Sequence, residues 1–108
     1  MKKYKVQLTP RARASVDKIV GDLRRFGSPT YATKVRREII AAIKSLKTFP
    51  EAHQAFGELT DEEHEYRRAL ILDYKIVFTV KDEVLEVIVV QVYNQQRGQE
   101  WIDENVKP

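Results

Sequence analysis

The stretch Glu65–Arg97, EYRRALILDYKIVFTVKDEVLEVIVVQVYNQQR, decides the fold because it predicts three consecutive antiparallel β-strands. Two short pairs, Leu72-Asp73 and Asp82-Glu83, interrupt its apolar character, and we interpret each pair as a two-residue hairpin turn. The three strands would therefore be neighbours in one sheet. The rest of the chain then has to supply the elements that cover this sheet.

Strand alternation sorts the side chains of this stretch onto two faces. We predict that Ile71 pairs with Tyr74 across the first turn and that Lys81 pairs with Val84 across the second. One face is then nearly all apolar and should meet helices: Ala69, Ile71, Tyr74, Ile76, Phe78, Val80, Leu85, Val87 and Val89. The other face mixes basic, polar and apolar groups: Tyr66, Arg68, Leu70, Lys75, Val77, Thr79, Glu86, Ile88 and Val90.

The first half of the chain predicts one strand followed by a helical hairpin. Polar and apolar residues alternate from Lys3 to Leu8, which indicates a half-buried strand. Apolar residues at three- and four-residue steps then predict helices over Pro10–Phe26 and Pro29–Leu46. In the Gly27-Ser28 turn between them, Gly27 is expected in the left-handed conformation and Ser28 as the N-cap. So short a turn makes the two helices antiparallel neighbours.

The remaining segments complete a single domain over residues 1–108. Glu51–Glu65 is polar and aperiodic, so it predicts a long connecting loop. After Tyr93 the sequence predicts a turn and a short helical tail whose Trp101 and Ile102 can pack back. The element order β-α-α-β-β-β predicts a two-layer α+β fold, with an antiparallel sheet, the helical hairpin on one face and the other face open.

Composition excludes several classes of protein. The chain has 108 residues and no cysteine, so disulfides and thiolate metal sites are excluded. No segment approaches the roughly 20 apolar residues that a membrane span needs, and the start does not resemble a secretory signal. We therefore expect a cytoplasmic protein with no membrane partner. A net charge of +3 favours polyanionic or acidic partners only mildly.

Four pieces of the sequence together resemble the RelE/ParE superfamily of type II toxins: the first strand leading into LTP, the helix end LKTFP, YRRALILDYKIVFTV, and the closing VIVVQVYNQQRGQEW. The resemblance implies a bacterial or plasmid toxin that a cognate antitoxin holds inactive and that shares in repressing its own operon. RelE-like members cleave mRNA in the ribosomal A site without a metal, whereas ParE-like members poison DNA gyrase. The sequence leaves these two targets open, and with them whether the chain is an enzyme.

Cleavage of RNA by its own 2′-hydroxyl needs a base, an acid and positive charge at the phosphate. The resemblance places the candidate catalytic residues at Arg68, Lys75 and Arg97. The candidate substrate-binding residues are Tyr66, Arg67 and Trp101.

A general acid and base are less evident in the sequence. Tyr66 and Tyr93 are the candidate acids, and Glu65 is a minority candidate base. His53 and His64 are interpreted as surface residues of the long loop. No spacing of His, Asp or Glu indicates a metal site, and no cofactor is expected.

The mixed face of the sheet also predicts a protein partner. Leu70, Val77, Ile88 and Val90 would form an exposed apolar patch, which an acidic helix or strand of the antitoxin is expected to cover. The exposed side of the helical hairpin is basic and resembles ParE-like members: Lys34, Arg36, Arg37 and Lys44. The alternative from a different class is a non-toxic module on the same fold that binds nucleic acid or protein.

Overall fold

A computed structural model describes residues 2–57, 60 and 65–106. The strands are β1 (Lys5–Leu8), β2 (Tyr66–Ile71), β3 (Tyr74–Lys81) and β4 (Glu86–Asn94), and the helices are α1 (Pro10–Phe26), α2 (Pro29–Ser45) and α3 (Gln99–Asn105). Short 3₁₀ turns occupy Pro50–Ala52 and Asp82–Val84. The predicted α+β class and the order of the elements are confirmed.

The four strands form one sheet in the order β1-β4-β3-β2. The three strands of the deciding stretch are antiparallel, as predicted. β1 is different because it pairs in parallel with β4, in a register that places Lys5 opposite Glu86 and Leu8 opposite Val89. The sheet is therefore mixed rather than wholly antiparallel. The helical hairpin follows β1 and returns the chain to the far edge of the sheet, so β1 and β2 are the two edge strands.

The two hairpin turns differ in how closely they match the prediction. Across the first turn Ile71 pairs with Tyr74 as expected, and Leu72 takes a left-handed φ of 53°. Across the second turn Lys81 pairs with Glu86, so the prediction of a pair with Val84 is wrong. The 3₁₀ turn and a left-handed Leu85 lengthen this connection. Because the shift is two residues, the strand keeps the same face towards the helices.

A β-bulge interrupts β4. Val77 lies opposite Gln91 and Phe78 lies opposite Val89, which leaves Val90 as the extra residue. The bulge restores the apolar alternation further along the strand, so that Val92 returns to the helix-facing side. The bulge also shifts the pairing of β3 with β4 from Val77 onwards, which is a second difference from the predicted register.

Each helix of the hairpin begins at a side-chain capping bond. The Thr9 hydroxyl accepts a hydrogen bond from the backbone N–H of Ala12 at 3.1 Å, and the Ser28 hydroxyl accepts one from Tyr31 at 3.2 Å. Gly27 is not left-handed, which corrects the prediction: its φ is −129°, and its N–H donates to the Leu23 carbonyl at 3.0 Å. The chain passes directly from Gly27 into Ser28, the N-cap of α2.

The main core lies between the helical hairpin and the sheet. It contains most of the predicted helix-facing strand residues, together with Val92 and one stripe of each helix: Ala12, Val16, Val20, Ala32, Val35, Ile39, Ile43, Leu46, Ala69, Tyr74, Ile76, Phe78, Val87, Val89 and Val92. The predicted Ile71 and Val80 are only partly buried against it. Leu85 does not belong to this core. It lies in the lengthened turn and is exposed.

Candidate functional site

The opposite face of the sheet is covered by a second, smaller core. Phe56 from the long loop and Ile102 and Val106 from the tail pack there against Tyr66, Val77 and Tyr93 of the strands. The expectation that this face has no helix of its own is therefore wrong. Ile102 and Val106 lie four residues apart on the inner side of α3, which gives this short helix an apolar contact with the sheet.

The second core divides the apolar patch that was predicted to bind an antitoxin. Leu70 is 58% exposed, whereas Val77 is 0% exposed and cannot contact a partner without rearrangement. Ile88 and Val90 are half-buried. Leu70 and Ile88 pair with Lys75 and Thr79, which are separated by about 13 Å along β3 at ~3.3 Å per residue. The patch is therefore not continuous in the isolated chain.

The two basic residues predicted on this face meet at one aromatic ring. The Arg68 guanidinium carbon lies 5.3 Å from the centroid of the Phe56 ring, and Lys75 Nζ lies 5.1 Å from the same centroid. Lys75 Nζ also lies 5.8 Å from the Tyr93 ring. Cations over aromatic faces are attracted by the ring quadrupole. The geometry therefore brings Arg68 and Lys75 to the same ring, that of Phe56.

The third predicted base lies at the other end of the same series of contacts. The rings of Tyr93 and Trp101 are 5.3 Å apart, and the Arg97 guanidinium lies 4.9 Å from the Trp101 ring. Arg97 is exposed, and Trp101 is half-buried. We name the whole series the cation–aromatic row, and its members in spatial order are Arg68, Phe56, Lys75, Tyr93, Trp101 and Arg97.

Arg68 is held by the long loop. Its Nη2 donates to Gln54 Oε1 at 3.1 Å, and its backbone N–H donates to the Gln54 carbonyl at 3.0 Å. Its Nε is buried without an acceptor among the described residues. One donor of the guanidinium is therefore committed to the loop, and another is shielded from solvent.

Two of the predicted substrate-binding residues face the protein itself. Arg67 Nη1 donates to the His53 carbonyl at 2.8 Å, and Nη2 pairs with Glu65 at 2.8 Å. The backbone of Arg67 also bridges to Ala55, so this arginine fastens the loop to the edge of the sheet. The Tyr66 ring is buried in the second core.

Among the residues that the structure describes, the candidate acid–base groups do not form a pair at the row. Glu65, considered as a base for Arg68, pairs with Arg67 instead. The His53 ring packs edge-on against Phe78 with 5.7 Å between centroids, at the margin of the main core. His64 and the acidic run at 61–63 lie outside the described residues. Tyr93 is buried within the row.

Shifted pKa values mark a different part of the molecule. The Tyr4 hydroxyl donates to the Asp82 carboxylate and, at 3.4 Å, to Glu51. The bond to Asp82, followed by burial, raises the pKa of Tyr4 to about 12. The same bond lowers the pKa of Asp82. Burial also raises the pKa of Tyr74 in the main core. The Tyr4–Asp82 contact joins the start of β1 to the β3–β4 turn and has a structural role.

A cleft of about 390 Å³ separates α1 from α3 beside the exposed end of the row. Arg11 donates to the Asn105 carbonyl at 2.8 Å, and the buried Gln91 amide donates to the same oxygen at 2.9 Å. Together these bonds fasten α3 to α1 and β4. Within the described parts of the chain, no group of three His, Asp or Glu side chains is placed to hold a metal. None of the described helices is long and apolar enough to cross a bilayer.

Phe56 and Gln91 are the site residues that sequence reasoning missed. Phe56 is a single aromatic side chain in an aperiodic loop, and its only sequence signal is that it is large and apolar among polar neighbours. Gln91 interrupts the apolar run of β4, a position where a polar residue indicates either exposure or a buried hydrogen-bond partner.

Known structures share this fold. The chromosomal ParDE system from P. aeruginosa superposes with a TM-score of 0.66 at 16% identity, covering 85% of this chain and 96% of that one. The archaeal RelE–RelB complex from Pyrococcus horikoshii OT3 gives 0.60 at 13% identity, covering 89% and 99%. The RelBE2 complex from Mycobacterium tuberculosis gives 0.58 at 21% identity, covering 87% and 93%. No curated protein sequence matches the chain.

A family model is more specific than these structural likenesses. The model of the ParE toxin of the type II toxin–antitoxin system parDE matches residues 6–98. The match extends from β1 through the helical hairpin and all the later strands to the turn before α3. The chain therefore belongs to the ParE toxin family, within the RelE/ParE superfamily of type II toxins.

Proposed function

We propose that this protein is a growth-inhibiting toxin that acts by binding DNA gyrase, and that it does not cleave mRNA. The observation that carries this choice is the position of Phe56, which is 3% exposed and whose ring makes cation–π contacts with both Arg68 and Lys75. An RNA phosphate would have to reach both cations at once. In the isolated chain both cations instead contact this buried aromatic ring.

The lack of a nearby acid–base pair among the described residues supports the same choice. Cleavage of RNA requires proton transfer from the 2′-hydroxyl and to the leaving oxygen, and each transfer needs a group within hydrogen-bond reach. The described carboxylate next to this strand belongs to Glu65, which forms an ion pair with Arg67. Inhibition by binding to a protein needs no such pair. The match to the ParE family model points in the same direction.

The toxin is proposed to be neutralised by a cognate antitoxin. The neighbours from M. tuberculosis and P. horikoshii are toxin–antitoxin complexes, and the P. aeruginosa neighbour is a ParDE system. On and next to the mixed sheet face of this chain, Leu70 is exposed on β2, and the exposed Arg97 lies over the half-buried Trp101. An antitoxin segment with acidic and apolar side chains would bind both, and contact with Ile88 would require it to continue across the face.

Ribosome-dependent mRNA cleavage remains the second candidate function, and one observation favours it. Arg97 is exposed and lies over the half-buried Trp101 at the margin of the 390 Å³ cleft. A guanidinium above an indole suits a phosphate followed by a stacked nucleobase. In that mechanism, ribosome binding would have to move Phe56 away from Arg68 and Lys75.

The two candidates make opposite predictions for the same variants. Purified protein would be added to a gyrase supercoiling assay and, separately, to a ribosome translation reaction whose mRNA ends are mapped. We expect inhibited supercoiling and intact mRNA, with Arg68→Ala and Lys75→Ala each retaining gyrase inhibition within about twofold. mRNA cuts that disappear in Arg68→Ala, together with normal supercoiling, would overturn the gyrase proposal in favour of the nuclease.

A further inference from the structure

A basic groove follows the exposed side of the helical hairpin, far from the cation–aromatic row. It has a volume of about 600 Å³. Its lining comes from one residue of α1 and one stripe of α2: Arg24, Thr33, Arg36, Arg37, Ile40, Ala41 and Lys44. The core-facing stripe of α2 is a different set, so the groove is not part of the main core: Ala32, Val35, Ile39 and Ile43.

The four cations of this groove are not neutralised within the described residues. Arg24, Arg36, Arg37 and Lys44 make no ion pair or hydrogen bond to residues 2–57, 60 or 65–106 through their side chains. The only acid in α2, Glu38, does not line the groove. Elsewhere on the hairpin a lysine is paired, since Lys18 bonds Asp22 at 3.1 Å. The groove therefore concentrates positive charge that nothing in the described chain balances.

The spacing of the groove residues matches a second helix. Arg36 and Arg37 precede Lys44 by seven or eight residues, which is about two helical turns or ~11 Å at 1.5 Å per residue. Between them lie the half-buried Ile40 and the small Ala41. A small residue between longer ones lets a partner helix approach closely, with its own side chains on either side.

We propose that this groove is a second protein-binding surface and that its occupant is an acidic amphipathic helix of a partner protein. Carboxylates two turns apart on that helix would meet Arg36 or Arg37 at one end and Lys44 at the other. Its apolar residues between them would cover Ile40 and Ala41. A nucleic acid would use the four cations but would have no contact for the apolar centre, so the protein partner fits better.

The groove and the mixed sheet face lie on opposite sides of the domain. The helical hairpin and the sheet separate them, since the main core joins α1 and α2 to the other face of the strands. A ligand in the groove and a ligand on the cation–aromatic row therefore do not compete for the same atoms. The inference does not depend on gyrase being the target, because it concerns a surface to which the proposed function assigns no partner.

A synthetic peptide tests the proposal directly. The probe is an 18-residue fluorescent helix with glutamates seven residues apart on one face and leucine and alanine between them, and its binding to the purified chain is followed by anisotropy. The matched variants are Arg37→Glu, in the groove, and Lys34→Glu, which is exposed on the same helix but outside the groove. We expect Arg37→Glu to weaken binding at least tenfold and Lys34→Glu less than twofold.

Three controls keep the result interpretable. A scrambled peptide of equal charge should bind at least fivefold more weakly than the amphipathic one. Equal binding would mean that the affinity depends on net charge alone, and it would overturn the proposal. Equal losses of peptide affinity in Arg37→Glu and Lys34→Glu would also overturn the proposal. Tighter binding of duplex DNA or single-stranded RNA, with the same loss in Arg37→Glu, would make the groove a nucleic-acid site. Circular dichroism melts check that both variants remain folded.

Discussion

The two faces of the sheet are covered in different ways. On one face, two long amphipathic helices bury a continuous core in which Val35, Ile39 and Phe78 are completely inaccessible. On the other face, a single loop phenylalanine and a seven-residue helix cover the centre and leave Leu70 exposed. The difference shows that alternation along a strand identifies which face a residue occupies. It does not identify which distant segment covers that face.

The largest expected effect comes from the continuous core. Phe78→Ala should lower the free energy of unfolding by about 3–5 kcal/mol, because it opens a cavity where the helical hairpin meets β3. Urea unfolding followed by circular dichroism measures this loss. Phe26→Ala is the matched control, since that ring is 78% exposed and should change stability by less than about 0.5 kcal/mol. A loss below about 1 kcal/mol for Phe78→Ala would contradict the assignment of the main core.

Phe56→Ala should lower the free energy of unfolding by less than Phe78→Ala and should change the affinity for RNA. We expect a loss of at most about 3 kcal/mol, because loop residues around the cavity can relax and water can enter. Arg68 and Lys75 would lose the ring that both contact, so affinity for a single-stranded RNA oligonucleotide at low salt should rise several-fold. Phe56→Leu keeps an apolar side chain in place and should leave RNA affinity near that of the wild type. Destabilisation as large as that of Phe78→Ala would remove the distinction between the two cores.

Loss of an apolar contact between α3 and the sheet should destabilise the protein less than either phenylalanine substitution. Ile102→Ala removes one of the two apolar anchors of this helix and should cost about 2 kcal/mol, near the low end for such changes. Trp101 is the only tryptophan, so its emission should move to longer wavelength as α3 loosens, while the far-ultraviolet dichroism changes little. Glu104→Ala, exposed on the same helix, is the control. An unchanged emission spectrum would show that Arg11 and Gln91 suffice to hold α3.

The parts of the fold that sequence could predict are those with a repeating signal or a short turn. The β2–β3 register was predictable because the two-residue turn at Leu72-Asp73 allows one pairing that keeps Ile71 and Tyr74 in the core. The β3–β4 register was not, because a left-handed Leu85 and the bulge at Val90 move the pairing without changing the apolar alternation. A lengthened turn and a bulge have no periodic signal.

Prediction of the candidate site was limited in the same way. Arg68, Lys75 and Arg97 were predicted as a group, and the structure joins them through aromatic rings. Phe56 could not be predicted from a pattern. It is positioned by backbone contacts of its neighbours, chiefly the bridge between Ala55 and Arg67 and the bond from its own N–H to the Tyr66 carbonyl. Such long-range contacts form only after the sheet edge exists.

The smallest expected effect concerns the Tyr4–Asp82 bond, which lies outside both faces of the comparison. Tyr4→Phe should lower the melting temperature near neutral pH, and the difference from wild type should shrink at both ends of the pH range. As pH rises above 10, the unfolded chain loses its Tyr4 proton, whereas the folded chain keeps it until about pH 12, so wild-type stability falls.

At the acid end the group that titrates is Asp82. Its pKa is lowered in the folded chain, so its contribution is present above the ordinary value of 3.8 and is lost as pH falls below it. Thermal melts of the wild type and Tyr4→Phe at pH 3, 7 and 11 test both limits, and Tyr31→Phe, an exposed tyrosine, is the control. A difference that stays constant from pH 3 to pH 11 would mean that Tyr4 stabilises β1 by ring packing alone. Its hydroxyl would then contribute nothing to joining the edge strand to the β3–β4 turn.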